Sequence, residues 1–242
     1  MLLNIDKNAK TVKGQKKGFM TGILYLAPAN ESGVNTCAFS SAGCRAVCLY
    51  NSGNAIMFKH VNEGRIAKTK RLFADRAGFL ADLEKEIRNA IKQAEKKGME
   101  FAVRLNGTSD LNVESWGIME KFPNTNFYDY TKNPFRMEKY LRGKMPANYH
   151  LTFSLSEDNM ELAKDILATG GNVAMVFRTR KPEMLPKTYM GYPVVIGDES
   201  DLRFKDPKNV IVGLTMKGSA QKDDKGFVQP LIEAEEKIVV NA

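Results

Sequence analysis

The sequence is poor in residues that anchor many small folds: three cysteines, two histidines and one tryptophan in 242 residues. An odd cysteine count excludes a fully paired disulfide framework. No apolar run approaches the roughly 20 residues of a membrane span, so no membrane partner is expected. The start, Met1-Leu-Leu-Asn-Ile-Asp-Lys, lacks the basic and apolar regions of a signal peptide, so a reducing cytoplasm is the expected setting. Low-complexity tracts and repeats of fixed period are absent too. What is present is 43% hydrophobic residues, enough for the core of an enzyme-sized domain.

Negative charge is in deficit. The formal net charge of +8 and a pI near 9.3 favour an anionic partner such as nucleic acid, a nucleotide or a phosphorylated metabolite, although a merely basic surface has the same composition. Lys7, Lys10, Lys13, Lys16 and Lys17, broken by Gly14 and Gly18, read as a basic N-terminal arm over 1–18.

Apolar strands then alternate with amphipathic stretches. Short apolar runs at 19–28, 101–105, 126–130, 149–154, 172–177, 193–196 and 210–214 predict strands. Helices are expected at 54–73, with a basic face, at 76–97, where Phe79, Leu80, Leu83, Ile87, Ile91 and Ala94 follow the helical period, and at 113–121, 134–142 and 158–169. This alternation predicts an α/β fold, a partial or complete parallel (β/α) barrel over 19–215, followed by a peripheral segment over 216–242. Each strand ends in a polar cluster, and in such a fold those ends share the ligand-binding face.

All three cysteines fall in one twelve-residue stretch, Cys37-Ala-Phe-Ser-Ser-Ala-Gly-Cys44-Arg-Ala-Val-Cys48, directly after the first of these strands. Clustering this tight predicts a metal centre. Three thiolates complete the protein ligands of an iron–sulfur cluster with one open iron, or leave a zinc site one ligand short. Iron–sulfur is favoured; zinc is the alternative, in a nucleic-acid-binding protein using the Lys-rich arm and the basic helix. His60 is the candidate fourth zinc ligand, whereas His150 lies in an apolar strand and reads as core. Gly43 permits a tight turn before Cys44, and Ser40 and Ser41 offer caps or hydrogen bonds to cluster sulfurs. Asp110, Glu157, Asp198 and Asp201 are candidate acid–base groups or helix caps, and Lys132 and Arg178 candidate cations at the mouth, with Lys132, Asp198 and Asp201 as catalytic candidates.

The stretches TVKGQKKGFMTGILYLAPAN, CAFSSAGCRAVCLY, VRLNGTSD, NFYDYTKNP, YHLTFSLSEDN and VIGDESDLRFKDP resemble the bacteriophage proteins of the gene-product-88 domain, over about 7–227. More distantly, the order strand, cysteine loop, helix, strand, Gly-containing turn resembles radical S-adenosylmethionine (SAM) enzymes. That resemblance implies a 4Fe-4S cluster on Cys37, Cys44 and Cys48, SAM at the open iron, and an electron donor. It implies a cofactor-binding set of Tyr50, Asn106, Gly107, Thr108, Ser109, Asp110, Ser154, Ser156 and Arg178. The chain departs from that pattern in its cysteine spacing, six then three intervening residues in place of three then two, and in Asn-Gly-Thr-Ser where those enzymes carry Gly-Gly-Glu.

Overall fold

A computed structural model describes residues 1–5, 9–51 and 58–232. Among the described residues ten strands form one sheet: β1 Leu3–Ile5, β2 Phe19–Leu24, β3 Glu100–Arg104, β4 Asn126–Thr131, β5 Tyr149–Ser154, β6 Val173–Phe177, β7 Thr188–Tyr189, β8 Tyr192–Ile196, β9 Ile211–Thr215 and β10 Val228–Gln229. Within the same described residues the α-helices are α1 Ala9–Gln15, α2 Ala42–Ala46, α3 Lys59–Ala74, α4 Arg76–Lys96, α5 Ile118–Lys121, α6 Pro134–Leu141 and α7 Met160–Ala168.

From β2 to β6 the strands lie side by side in chain order and parallel, and β9 and β8 continue the parallel run. Parallel neighbours need a crossover, which α3 with α4, then α5, α6 and α7, supply in turn. The expected α/β class is found, but among the described residues the sheet does not close into a complete barrel. At one end β1 pairs antiparallel with β2, and at the other β7 pairs antiparallel with β8, so each end carries an antiparallel cap rather than a joining strand.

Burial follows the two periods. β2 is buried along its whole length, as a strand covered on both faces must be. On α4, Phe79, Leu83, Ile87, Ala90 and Ala94 are buried, and Asp75 caps its start by accepting from the Gly78 amide at 2.9 Å. These side chains join Met20, Val103, Phe127, Leu151 and Met175 in the main core. Their strand neighbours Ala102 and Tyr128 face the other way and pack with Phe19 and Leu202 in a smaller cluster. The ring of Phe204, from a short turn at Arg203–Lys205, closes that face, 5.1 Å from Phe19 and 5.7 Å from His150, which places His150 in packing as its strand position predicts.

The described residues toward both ends of the chain pair into the sheet. Of the expected arm, 1–18, the described part holds β1 and α1, with Leu2 and Leu3 buried and their amides donating to Glu86 at 2.6 and 2.8 Å. Lys7 and the side chain of Lys10 lie outside the described residues, as do 54–57 of the basic helix and 233–242 of the C-terminal segment. The segment expected to be peripheral enters the sheet. β5 and β6 pair only through Val173 and Ala174, and further along β10 takes the place beside Val176 and Phe177. No helix among the described residues is long and apolar enough to cross a membrane.

Candidate functional site

The carboxyl ends of the parallel strands open onto a cavity of about 780 Å³ whose wall includes Cys37, Cys44 and Cys48. That volume lies within the range of small-molecule and cofactor pockets.

The cysteine loop is fixed at its start by two bonds of Thr36. Thr36 donates its hydroxyl to the Ala27 carbonyl at 2.6 Å, and the Asp110 amide donates to the Thr36 carbonyl at 2.8 Å, tying the loop to β2 and to the turn after β3. Ser41 caps α2 by accepting from the Cys44 amide at 3.0 Å, so Cys44 sits in the first turn of that helix. Cys48 lies beyond the C-cap Val47, and the shared helical face allowed by the spacing of Cys44 and Cys48 is not formed.

Glu157, in the loop after β5, grips the other side of the helix. Its carboxylate accepts from the Ser41 hydroxyl at 2.8 Å and from the Gly43 amide at 2.6 Å. A Cβ on residue 43 would sit 2.5 Å from Glu157 Oε2, which gives Gly43 its reason: the carboxylate can dock only where no side chain intervenes. These bonds outweigh burial and hold Glu157 below the usual carboxylate range. It acts as a clamp on the cysteine loop.

The thiols are unpaired and half-buried. Burial pushes Cys37 up and Cys48 up to about 11, and the nearby Asp110 carboxylate adds to the rise at Cys37. Arg65 acts on Cys48 in the opposite sense, its guanidinium stacked 5.0 Å from the Tyr25 ring centroid and 5.4 Å from that of Tyr50. Tyr50 is thus a buried wall residue beside Cys48. Among the described residues no three His, Cys, Asp or Glu converge tightly enough to hold a single metal ion. His60 is exposed, with Phe58 beside it, and is not in the wall.

The turn after β3 brings Asn106, Gly107, Thr108, Ser109 and Asp110 to the wall. The side chain of Asn106 is spent inside the turn: its oxygen accepts from Ser109 and from the Leu111 amide, both at 2.9 Å, and its nitrogen donates to the Leu111 carbonyl at 3.0 Å. Gly107 packs on β2 so closely that a Cβ would meet the Tyr25 ring at 2.6 Å. Thr108 donates to the Leu26 carbonyl and offers its own carbonyl to the Cys37 thiol at 3.9 Å. Asp110 accepts from Thr131 and from the Lys132 amide, and pairs with Arg136 at 2.6 Å.

Beneath this turn lies a buried polar network. Arg136 also reaches Glu114 at 3.0 Å and donates to the Tyr149 hydroxyl at 2.6 Å, which donates in turn to Asp129 at 3.0 Å. Asp129 accepts from the Asn106 amide at 2.8 Å as well, yet burial pushes its carboxyl up to about 7.

Lys132 and Ser154 meet in the wall, the ammonium donating to the hydroxyl at 2.7 Å. Asp198 and Asp201 are also in the wall, each engaged: Asp198 accepts from Thr215 at 2.8 Å and pairs with Lys217, and Asp201 pairs with Arg104 at 3.1 Å. Two of the expected residues lie elsewhere. Ser156 is buried with its hydroxyl on Asp158, and Arg178 is exposed and donates to the Asp223 carbonyl at 3.0 Å, binding down the C-terminal segment. That segment contributes Ala220 and Phe227 to the wall, residues the alternation of strands and helices gave no reason to place there.

Fold and site together define an open, mostly parallel α/β protein with a thiol-walled cavity at the carboxyl edge of its sheet. Within that class the chain belongs to the gene product 88 family of phage proteins, whose model matches residues 1–230. No curated protein and no solved structure matches it.

Proposed function

We propose that the protein is an iron–sulfur enzyme of the radical SAM type, with a 4Fe-4S cluster held by Cys37, Cys44 and Cys48 and its small-molecule ligand in the cavity beside them. The observation that carries this reading is three thiols from one loop in the wall of a single cavity of about 780 Å³. Five neighbouring parallel strands in chain order, β2 to β6, support treating the sheet as a partial (β/α) barrel of the kind such enzymes use. Three thiolates complete the protein ligands of a cluster with one open iron, whereas they leave a tetrahedral zinc ion one ligand short.

When bound, such a cluster supplies the electron that cleaves SAM reductively. The chain's own residues do the rest. Cys37 and Cys48, raised by burial, hold their protons until metal displaces them, so loading releases protons and is favoured by rising pH. Glu157 and Ser41 orient Cys44. Because the side chains of Asn106, Thr108 and Ser109 are spent on bonds within the protein, the contribution of this turn to SAM binding is shape rather than charge. The reading goes with a reducing cytoplasm and a reducing protein partner.

The test is to reduce the anaerobically prepared full chain with SAM present and measure 5′-deoxyadenosine. Slow release without added substrate is expected. No release from protein that carries its cluster would contradict SAM chemistry while leaving the cluster in place.

A further inference from the structure

We propose that Lys132 and Ser154 form an anion-binding subsite of the cavity, taking a carboxylate or phosphate of the bound small molecule. The inference rests on the cavity being a ligand site and does not require the cluster.

Among the described residues four cations reach the cavity wall: Arg45, Arg104, Lys132 and Lys217. Arg104 is paired with Asp201 and Lys217 with Asp198, and the exposed Arg45 turns back onto Ser40. Lys132 differs from all three. It is half-buried, its ammonium meets the Ser154 hydroxyl at 2.7 Å and the Phe227 ring at 5.3 Å from the centroid, and no carboxylate lies within ion-pairing distance of it among the described residues.

The carboxylates of the wall are committed or remote. Asp110 pairs with Arg136, Asp198 and Asp201 with the cations above, and Glu31 is exposed. An ammonium in the cavity wall whose contacts are a hydroxyl and a ring leaves its charge available to an anionic ligand. Ser154 completes the geometry: its oxygen accepts from Lys132, which leaves its hydroxyl proton to donate. Phe227 and Val176 make the adjoining wall apolar, so charge-assisted bonds formed there are strengthened by exclusion of water. The chemistry recognised is one oxyanion on an otherwise uncharged or apolar body.

Calorimetry on the full chain, with iron and sulfide measured on the same sample, tests this with two pairs of probes: AMP against adenosine, and methionine against methioninamide. In at least one pair the anionic member should bind about tenfold tighter or more, as a charge-assisted bond is worth. Lys132→Met should abolish that preference, Lys132→Arg should keep part of it, and Ser154→Ala should weaken it severalfold with the charge intact. The pair that discriminates tells phosphate from carboxylate. Equal binding within both pairs, no binding of any probe, or a preference unchanged in Lys132→Arg and Ser154→Ala and surviving in folded Lys132→Met would overturn the proposal. A preference lost on Lys132→Met in protein purified without air and found to hold neither iron nor sulfide would keep the subsite and reject the iron–sulfur reading.

Discussion

Gly43 and Glu157 show how one residue's absence of side chain permits another's function. Placing alanine at 43 would push the carboxylate away and break its bonds to Ser41 and to the residue 43 amide. Gly43→Ala and Glu157→Ala should therefore each destabilise the protein by about 1–3 kcal/mol, the value of hydrogen bonds to a charged group. The double variant should cost no more than the worse single one, because both remove the same interaction. Urea unfolding of the four proteins reads this directly, and additive losses would contradict the clamp. Asp129 gives a pH signature. Its folded carboxyl titrates near 7 and an unfolded aspartate near 3.9, so the native state keeps a proton that the unfolded chain has released. Its contribution to stability is complete below about pH 4 and is lost as pH rises toward 7, with a slope of at most about 1.4 kcal/mol per pH unit. Asp129→Asn should flatten the stability profile between pH 4 and 7; an unchanged slope would show that the group is ionised throughout.

Among the elements, β1 and β10 separate what periodicity can reveal from what only packing decides. The central strands were legible because short runs rich in apolar and aromatic residues, bounded by turn residues, read as strands; the run at 149–154 is strand β5 residue for residue. Helix α4 was legible from its apolar residues at the helical period, the stripe that is buried in the structure. β1, three residues long, and β10, two residues long, carry too little pattern to distinguish from loop, and their pairing partners lie far along the chain. The site divides in the same way. The cysteine cluster announces itself by spacing, and the carboxyl-edge rule gathers the loops of β2, β3, β4 and β5 at one cavity. The spending of Asn106 inside its own turn, the diversion of Arg178 to the C-terminal segment, and the clamp by Glu157 depend on contacts between loops remote in sequence. Deleting residues 1–5 tests whether the N-terminus is structure or arm. Losing buried Leu2 and Leu3 should cost on the order of 3–5 kcal/mol, visible as a lower urea midpoint. An unchanged midpoint would return these residues to the role of an arm.

At the scale of the whole molecule, the net charge of +8 sets how partners arrive rather than what they are. Because the N-terminus is anchored, its charge is best probed without truncation: Lys16 and Lys17 are exposed, and reversing both to glutamate leaves β1 and the body of α1 in place. If the chain meets nucleic acid or a nucleotide-bearing ligand, affinity for short DNA or RNA should fall steeply between low and physiological salt, and the double reversal should reduce that slope. Absence of binding at low salt would leave a small anionic molecule as the partner, the class the Lys132–Ser154 pair suits. The central claim, three cysteines holding an iron–sulfur cluster, is tested most directly by iron, sulfide and zinc analysis of the full chain purified without air. About four irons and four sulfides per chain are expected, with visible absorption that disappears when any one of Cys37, Cys44 or Cys48 becomes alanine. One zinc per chain without sulfide, or no metal dependent on those cysteines, would contradict it.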